Sequence, residues 1–297
     1  MVMSSLRCSK WALGVLLGLL MSFQGEYAVA NPVFQSDHSE CRKLLDAKNY
    51  SDALRVCKKS AQEGDPASQF NLSFIYFNGL GISKDSVKAM RWLNDSASKR
   101  YPPAEYALSS RYASGKGVRK DTKKALELIT DAANQSFLLA QYMLGRMNEA
   151  GYKGLDIEKN LSSAIRWYQL VGKQCPSCQY ELFRIYFFGI GVKKDLVKAA
   201  NYLLVSAKGG LPKAQMQLGF RFNDGEGVPK DYVQAYKWFY IAAKSGETVS
   251  KKSLRLLSKK MSFSQIEEAK TQAANLMKRQ HINTNQLCAI YGQFCGH

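Results

Sequence analysis

The most reactive side chains in this 297-residue sequence are cysteines. Cys175-Pro176-Ser177-Cys178 has the spacing of dithiol oxidoreductases, in which a helix N-terminus stabilises an attacking thiolate. Cys178 is expected at the first position of a helix, so part of that requirement is met. The rest is not, because such motifs follow a strand in a β-α-β unit and no such alternation surrounds them. A structural disulfide pinning a turn is the better reading. Ser96-Ala97-Ser98-Lys99 fits the Ser-x-x-Lys of serine acylation, and Lys244-Ser245-Gly246 is a weak match to Lys-Thr-Gly. No Ser-Asp-Asn accompanies them, and in a chain rich in Ser and Lys such short matches arise by chance. The three histidines, His38, His281 and His297, are too scattered for a four-ligand metal set. We expect no metal and no cofactor.

Redox compartment follows from the N-terminus. Arg7 and Lys10 precede an uncharged stretch from Trp11 to Gln24 that leads to Ala28-Val29-Ala30, a small-x-small cleavage signal. Residues 1–30 therefore read as a signal peptide, and no later segment is long and uncharged enough to span a membrane. Cys8 precedes the apolar core, so it is not placed like a lipoprotein's acylated cysteine. The protein is expected to be exported, to the periplasm in the first instance, with secretion as the alternative. Six cysteines remain after cleavage, and an even number in an oxidising compartment predicts disulfides. Cys41 and Cys57 lie eight residues either side of Asn49, where a helical hairpin would bring them level. A bond there closes a loop of about 16 residues and contributes about 3 kcal/mol in the chain-entropy view. Cys288 and Cys295 flank Gly292, leaving Cys175 and Cys178 as neighbours.

The elements that position these residues come from self-similarity. Leu72, Leu108, Leu144, Leu182 and Leu218 are spaced 36, 36, 38 and 36 apart, and seven residues after each stands Gly79, Gly115, Gly151, Gly189 or Gly225. Four copies continue as Gly-x-Gly-(Val/Ile)-x-x-Asp and then reach Ala89, Ala125, Ala199 or Ala235. The apolar residues before each glycine are at helical spacing, which predicts a helix A. The glycines permit the positive φ that ends it, the Val or Ile plugs the turn, and the Asp is suited to N-cap a helix B. The third copy has Gly151-Tyr152-Lys153-Gly154, a longer loop, Asn148 in place of the usual Tyr, and its alanine at Ala164. Its turn is expected to be distorted.

This pattern resembles the Sel-1-like repeat, a relative of the tetratricopeptide repeat. Ala140-Gln141-Tyr142-Met143-Leu144-Gly145 and Ala214-Gln215-Met216-Gln217-Leu218-Gly219, with the Gly-x-Gly-Val-x-x-Asp turn, carry the resemblance. It implies an all-α, right-handed solenoid of helical hairpins with a concave binding face. The expected organisation is a signal peptide (1–30), a linker and capping hairpin (31–67), five repeats (68–249), a C-terminal capping helix region (250–280) and a cysteine-containing tail (281–297). Terminal caps are required because an array otherwise exposes its apolar ends. Ser264-Gln265-Ile266-Glu267 reads as a capping box opening the last helix, with Ile266, Ala269, Ala273, Leu276 and Met277 covering the final repeat.

The Gly-x-Gly turns lack the Lys-Ser/Thr of a phosphate-binding loop. The aromatic series Phe70, Tyr106, Tyr142 and Tyr180 recurs too regularly to be a ligand platform and reads as packing. Positions of helix A that differ between copies are free of that constraint: Phe74, Phe77, Arg146, Glu149, Arg184, Phe187, Phe188 and Phe220. By analogy with tetratricopeptide arrays several of these face the groove, where aromatics and arginines are typical anchors, while Phe77 and Phe188 fit burial against neighbouring hairpins equally well. The expected function is a protein–protein interaction scaffold or adaptor of the cell envelope, not an enzyme. The rival is a β-lactamase-like or penicillin-binding protein, because cysteine-rich secreted members of the family have been linked to that chemistry. A formal charge of +18 adds anionic glycans or lipids as candidate partners, or simply solubilises an exported array. Nucleic acid is a poor partner for an exported protein.

Overall fold

The computed structural model describes residues 39–291, with side chains to residue 278. The signal-peptide reading, His38 and the Cys288–Cys295 pairing lie outside the residues so described. The chain is a right-handed α-solenoid. A first hairpin, α1 (Glu40–Asp46) and α2 (Tyr50–Gln62), is followed by five A/B hairpins. These are α3 (Pro66–Asn78) with α4 (Ser86–Ser98), α5 (Pro102–Ser114) with α6 (Thr122–Asn134), α7 (Leu138–Ala150) with α8 (Leu161–Val171), α9 (Pro176–Phe188) with α10 (Leu196–Lys208), and α11 (Pro212–Asp224) with α12 (Tyr232–Lys244). The array ends in α13 (Thr248–Leu257) and α14 (Phe263–Tyr291).

Local chemistry sets each boundary. Asp85, Asp121, Asp195 and Asp231 accept the amide proton three residues on, and Asn160 does so in the third repeat. Gly79, Gly115, Gly189 and Gly225 end their A helices in the left-handed region. The turn then closes when the capping aspartate's amide donates to a helix-A carbonyl, as from Asp121 to Tyr112 at 3.0 Å. The third repeat departs as expected, yet keeps this closure. Its turn contains a short 3-10 segment, Lys153–Leu155, and a β-bridge between Tyr152 and Ile157. Gly151 leaves the helix with ψ 142, and Asp156, not Gly154, takes the left-handed conformation. Leu155 is buried, and Ile157 packs on the core where Val or Ile plugs the other turns. Asn160 still donates its amide to Asn148 at 2.8 Å.

Small residues bring the helices together. Ala89, Ala125, Ala164, Ala199 and Ala235 are fully buried on the B helices, as are Ser68, Ala104, Ala140, Cys178 and Ala214 on the A helices. Two sets of buried hydrogen bonds lock this packing. Gln69, Gln141 and Gln215 donate their side-chain amides to the carbonyls of Ala61, Ala133 and Ala207, each eight residues earlier on the preceding hairpin. Gln179 donates to Gly172 at 2.9 Å. In the other direction, the Ser96 hydroxyl donates to Pro66 at 2.6 Å and Ser206 to Pro176 at 2.7 Å.

At the N-terminal end, Cys41 and Cys57 are bonded and wholly buried against Leu72 and Ile75 of α3. At the other end, Ala269 packs with Phe239, while Ala273, Leu276 and Met277 pack around Trp238 and Ile241. The capping box there is Ser262 with Gln265, a correction to the Ser264–Glu267 assignment. Ser262 Oγ accepts the Gln265 amide at 3.2 Å, and Gln265 Oε1 accepts the Ser262 amide at 2.9 Å. The helix therefore begins at Phe263. Both pairs fit the sequence pattern, and only the hydrogen bonding separates them.

Two turn glycines separate conformational cost from steric cost. A Cβ on Gly117 (φ 79°) would meet only the Met90 side chain, at 3.5 Å, whereas one on Gly227 (φ 77°) would meet the Leu196 carbonyl oxygen at 2.2 Å. Gly117→Ala is expected to cost about 1 kcal/mol, and Gly227→Ala 2 kcal/mol or more beyond that, read as urea midpoints by circular dichroism. Equal losses would refute the distinction.

Glu105 stands where the other repeats place glutamine, and it is buried, with Gln135 donating to it at 2.6 Å. Burial, then the charge of Asp131, holds its carboxyl above the usual range. A carboxyl that keeps its proton more tightly in the folded chain loses stability as pH rises from the unfolded value through the folded one. Glu105→Gln, which supplies a donor for the Ala97 carbonyl eight residues earlier, is expected to add about 1 kcal/mol at neutral pH. It should also flatten the pH dependence, as measured by urea midpoints on both sides of the carboxylate range. A steeper slope in the variant would contradict this origin.

Candidate binding surface

The structure sorts the eight variable helix-A positions into three groups. Phe77 and Phe220 are spent largely on packing. Phe77 lies under the Arg111 guanidinium at 3.9 Å beside the Leu93–Leu108 core, and Phe220 packs edge-on against buried Phe239 at 4.9 Å. Phe74 is exposed on α3, two repeats from the rest. Arg146, Glu149 and Arg184 come together across the join between the third and fourth repeats, and Phe187 and Phe188 follow on the next turn of α9.

The charged group is an ordered network. Arg184 reaches Glu149 Oε1 at 3.5 Å and also bonds Glu181. Tyr168 donates its hydroxyl to Glu149 at 2.9 Å, and Arg146 donates to the Tyr142 hydroxyl at 3.1 Å. Burial first, and then the neighbouring Glu149 charge, holds the Tyr168 proton above the ordinary phenol range. Burial is the largest single influence and works against the Arg184 cation, but the hydrogen bond to Glu181 and the charges of Glu181 and Glu149 together outweigh it and raise its pKa. Both arginines are charged, Arg184 held by carboxylates on two repeats and Arg146 by the Tyr142 hydroxyl of its own helix.

The aromatic group lies alongside. Phe187 lies between Phe183, tilted against it, and Phe188, set edge-on, with ring centroids at 5.2 and 5.0 Å, and carries the Arg221 guanidinium at 4.5 Å. Phe188 is 64% exposed. The pair Phe187–Arg221 repeats the geometry of Phe77–Arg111, an arginine of one A helix laid on a phenylalanine of the A helix before it. Glu181 and Arg221 were not legible as site residues. Glu181 directly precedes Leu182, a place filled by Asn71, Ala107, Met143 and Gln217 in the other copies. That variability was the available signal.

The residues first considered for chemistry are committed to structure. The helix starts at Pro176, two residues before the predicted Cys178, because Cys175 is its N-cap: its sulfur accepts the Cys178 amide at 3.0 Å. Cys175 and Cys178 are disulfide-bonded and wholly buried at the join of the third and fourth repeats. Ser96 is also wholly buried, its proton given to Pro66, and Ser206 makes the same bond in the fourth repeat. Lys99 bonds the Gly64 carbonyl. The Ser-x-x-Lys match is thus a position of the repeat. Among the described residues no three His, Cys, Asp or Glu side chains gather as a metal site, and no helix is long and apolar enough to cross a membrane.

Stacked A/B hairpins closed by glycine turns, with interaction-type side chains along the A helices, define a tetratricopeptide-like α-solenoid. The chain belongs to the Sel1 repeat family, whose repeat matches at residues 66–100, 102–137, 138–172, 176–211 and 212–247. These limits fall two residues before the 68–249 expected from sequence. Proteins built from Sel1 repeats generally mediate protein–protein interaction. Among solved structures the chain is similar to a Sel1 repeat protein from Oxalobacter formigenes, with 28% identity and a TM-score of 0.65 over 80% of this chain and 98% of that one. It is also similar to a protective antigen of uropathogenic Escherichia coli strains, with 26% identity and a TM-score of 0.45 over 77% of this chain and 57% of that one. An immunity protein from Pseudomonas aeruginosa is 18% identical, with a TM-score of 0.44 over 66% of this chain and 73% of that one. No curated protein matches the sequence.

Burial denies an attacking thiolate access to the Cys175–Cys178 sulfurs. Folded protein held in a glutathione buffer at cytosolic poise and then alkylated should therefore carry no adduct on either cysteine by mass spectrometry. Rapid labelling of both would return the pair to redox chemistry.

Proposed function

We propose that this protein is an exported, non-enzymatic scaffold, working in the periplasm or outside the cell. Its helix-A face at the third to fifth repeats holds a protein segment. The observation that carries this reading is Phe188, an exposed aromatic set beside an arginine–glutamate network whose members are already ordered. Exposed aromatics and arginines are the side chains from which binding hot spots are built. Groups held in place before binding lose little conformational freedom on docking, which favours affinity at a given contact area.

Contacts between successive A helices support assigning this face to the inside of the curve. Glu149 meets Arg184, and Phe187 meets Arg221, across repeat boundaries. Both signs of charge are present, with Arg146 and Arg184 against Glu149 and Glu181, so the fitting partner is an amphipathic segment with an apolar anchor for Phe188. Export is supported by the leader-like N-terminus and by two disulfides, which persist in oxidising compartments.

A photo-crosslinking residue placed at Phe188 in the native cell should give discrete protein adducts, and one placed at Leu170, exposed on α8, should not. Phe188→Ala should weaken the captured complex about tenfold or more. Adducts from Leu170 alone, or an unchanged affinity in the variant, would overturn the reading.

A further inference from the structure

A second surface lies along the glycine-turn edge, separate from the helix-A face. At the second repeat's turn, Arg119, Lys120, Lys123 and Lys124 surround a hollow that also presents Tyr112 and Thr122. All four cations are exposed. The carboxylate lining the hollow is Asp121, and its Oδ1 is engaged at 2.9 Å with the Lys124 amide as a helix cap. The Lys124 ammonium lies over the Tyr112 ring at 4.6 Å, and its hydrogen bond to the Tyr112 hydroxyl favours the charged form.

The first repeat repeats the arrangement. Lys58, Lys84 and Lys88 line a hollow with Tyr76 and Ser83, and Lys88 pairs with Asp85 at 3.0 Å. Both hollows form at the same element of the repeat, the turn and first residues of helix B, so the solenoid sets them one period apart on one edge. The third repeat breaks the series, because its longer turn carries Asp156 and Glu158 among its lysines.

We propose that the turn edge of the first two repeats binds a linear, carboxylate-bearing glycan, whose acidic groups occupy successive hollows. Charge calls for an anion, and the one-period spacing calls for a chain that presents anions repeatedly. Each hollow combines cations with a tyrosine and a small hydroxyl, groups that hydrogen-bond to sugar hydroxyls and carboxylates. The apolar residues of the hollows, Leu54, Ile82 and Val118, are half-buried and do not project to insert into a bilayer.

The test is fluorescence anisotropy of labelled oligogalacturonate with the full mature chain. Neutralising the second hollow (Arg119→Gln, Lys120→Gln, Lys123→Gln and Lys124→Gln) should weaken binding about tenfold or more at low salt, an effect that added salt suppresses. A control with the same net charge, Lys251→Gln, Lys252→Gln, Arg255→Gln and Lys259→Gln on the exposed C-terminal cap, should bind as the parent does. Adding Lys84→Gln and Lys88→Gln to the first variant removes cations of the remaining hollow and should weaken long oligomers further. All substituted side chains are exposed, and unchanged thermal melts establish that the variants fold. Equal losses in the charge-matched control would overturn the proposal. So would polyglutamate of matched charge, or phosphatidylglycerol vesicles, binding as tightly through the same residues.

Discussion

The register of the array depends on one kind of contact, a glutamine amide that crosses from four of the five A helices to a carbonyl near the end of the hairpin before it. At the joins between hairpins the Ala61, Ala133 and Ala207 carbonyls already accept a turn amide from Gly64, Ser136 and Gly210, and the second lone pair of each is left for a side-chain donor. The amides of Gln69, Gln141 and Gln215 meet this need at three joins, and Gln179 does so at a fourth. Each bond adds only about 1 kcal/mol net, but a buried glutamine amide left without an acceptor costs more than the bond gains. Sliding one hairpin along the next by a turn would strand the buried donor, so the bond specifies alignment more than it adds strength. Small residues at the same interface allow the close approach that the bond requires.

The two departures from regularity are both compensated. At the second repeat the donor is replaced by Glu105, and Gln135 supplies the hydrogen bond from the other side. At the third repeat the long turn and the shortened α8 change how the chain enters the fourth. That join is where the Cys175–Cys178 disulfide and the Glu149–Arg184–Glu181 cluster lie. Irregular backbone and additional cross-ties therefore coincide, which gives the helix-A face an ordered polar cluster spanning two repeats.

Legibility in the sequence followed the range of the interactions. Glycine turns, aspartate caps, buried alanines and the Cys41–Cys57 pairing depend on residues close in the chain and were readable from spacing. The start of the last helix was misplaced by two residues because Ser262–Gln265 and Ser264–Glu267 satisfy the same pattern. The start of α9 was misplaced because a cysteine sulfur, an unusual N-cap, accepts the amide there. The binding surface was legible only as a set of variable positions. That Glu149 would meet Arg184, that Phe187 would meet Arg221, and that Phe220 would turn into the core depends on the offset between neighbouring hairpins, which no local spacing encodes.

The acceptor in the register bond is a main-chain carbonyl, present whatever side chain its residue carries. A hairpin bearing the glutamine can follow almost any other hairpin without a matching change in its neighbour. Lengthening such an array by duplication of a whole unit therefore meets little resistance at the new seam, and the surfaces on its outer and inner sides are free to diverge afterwards.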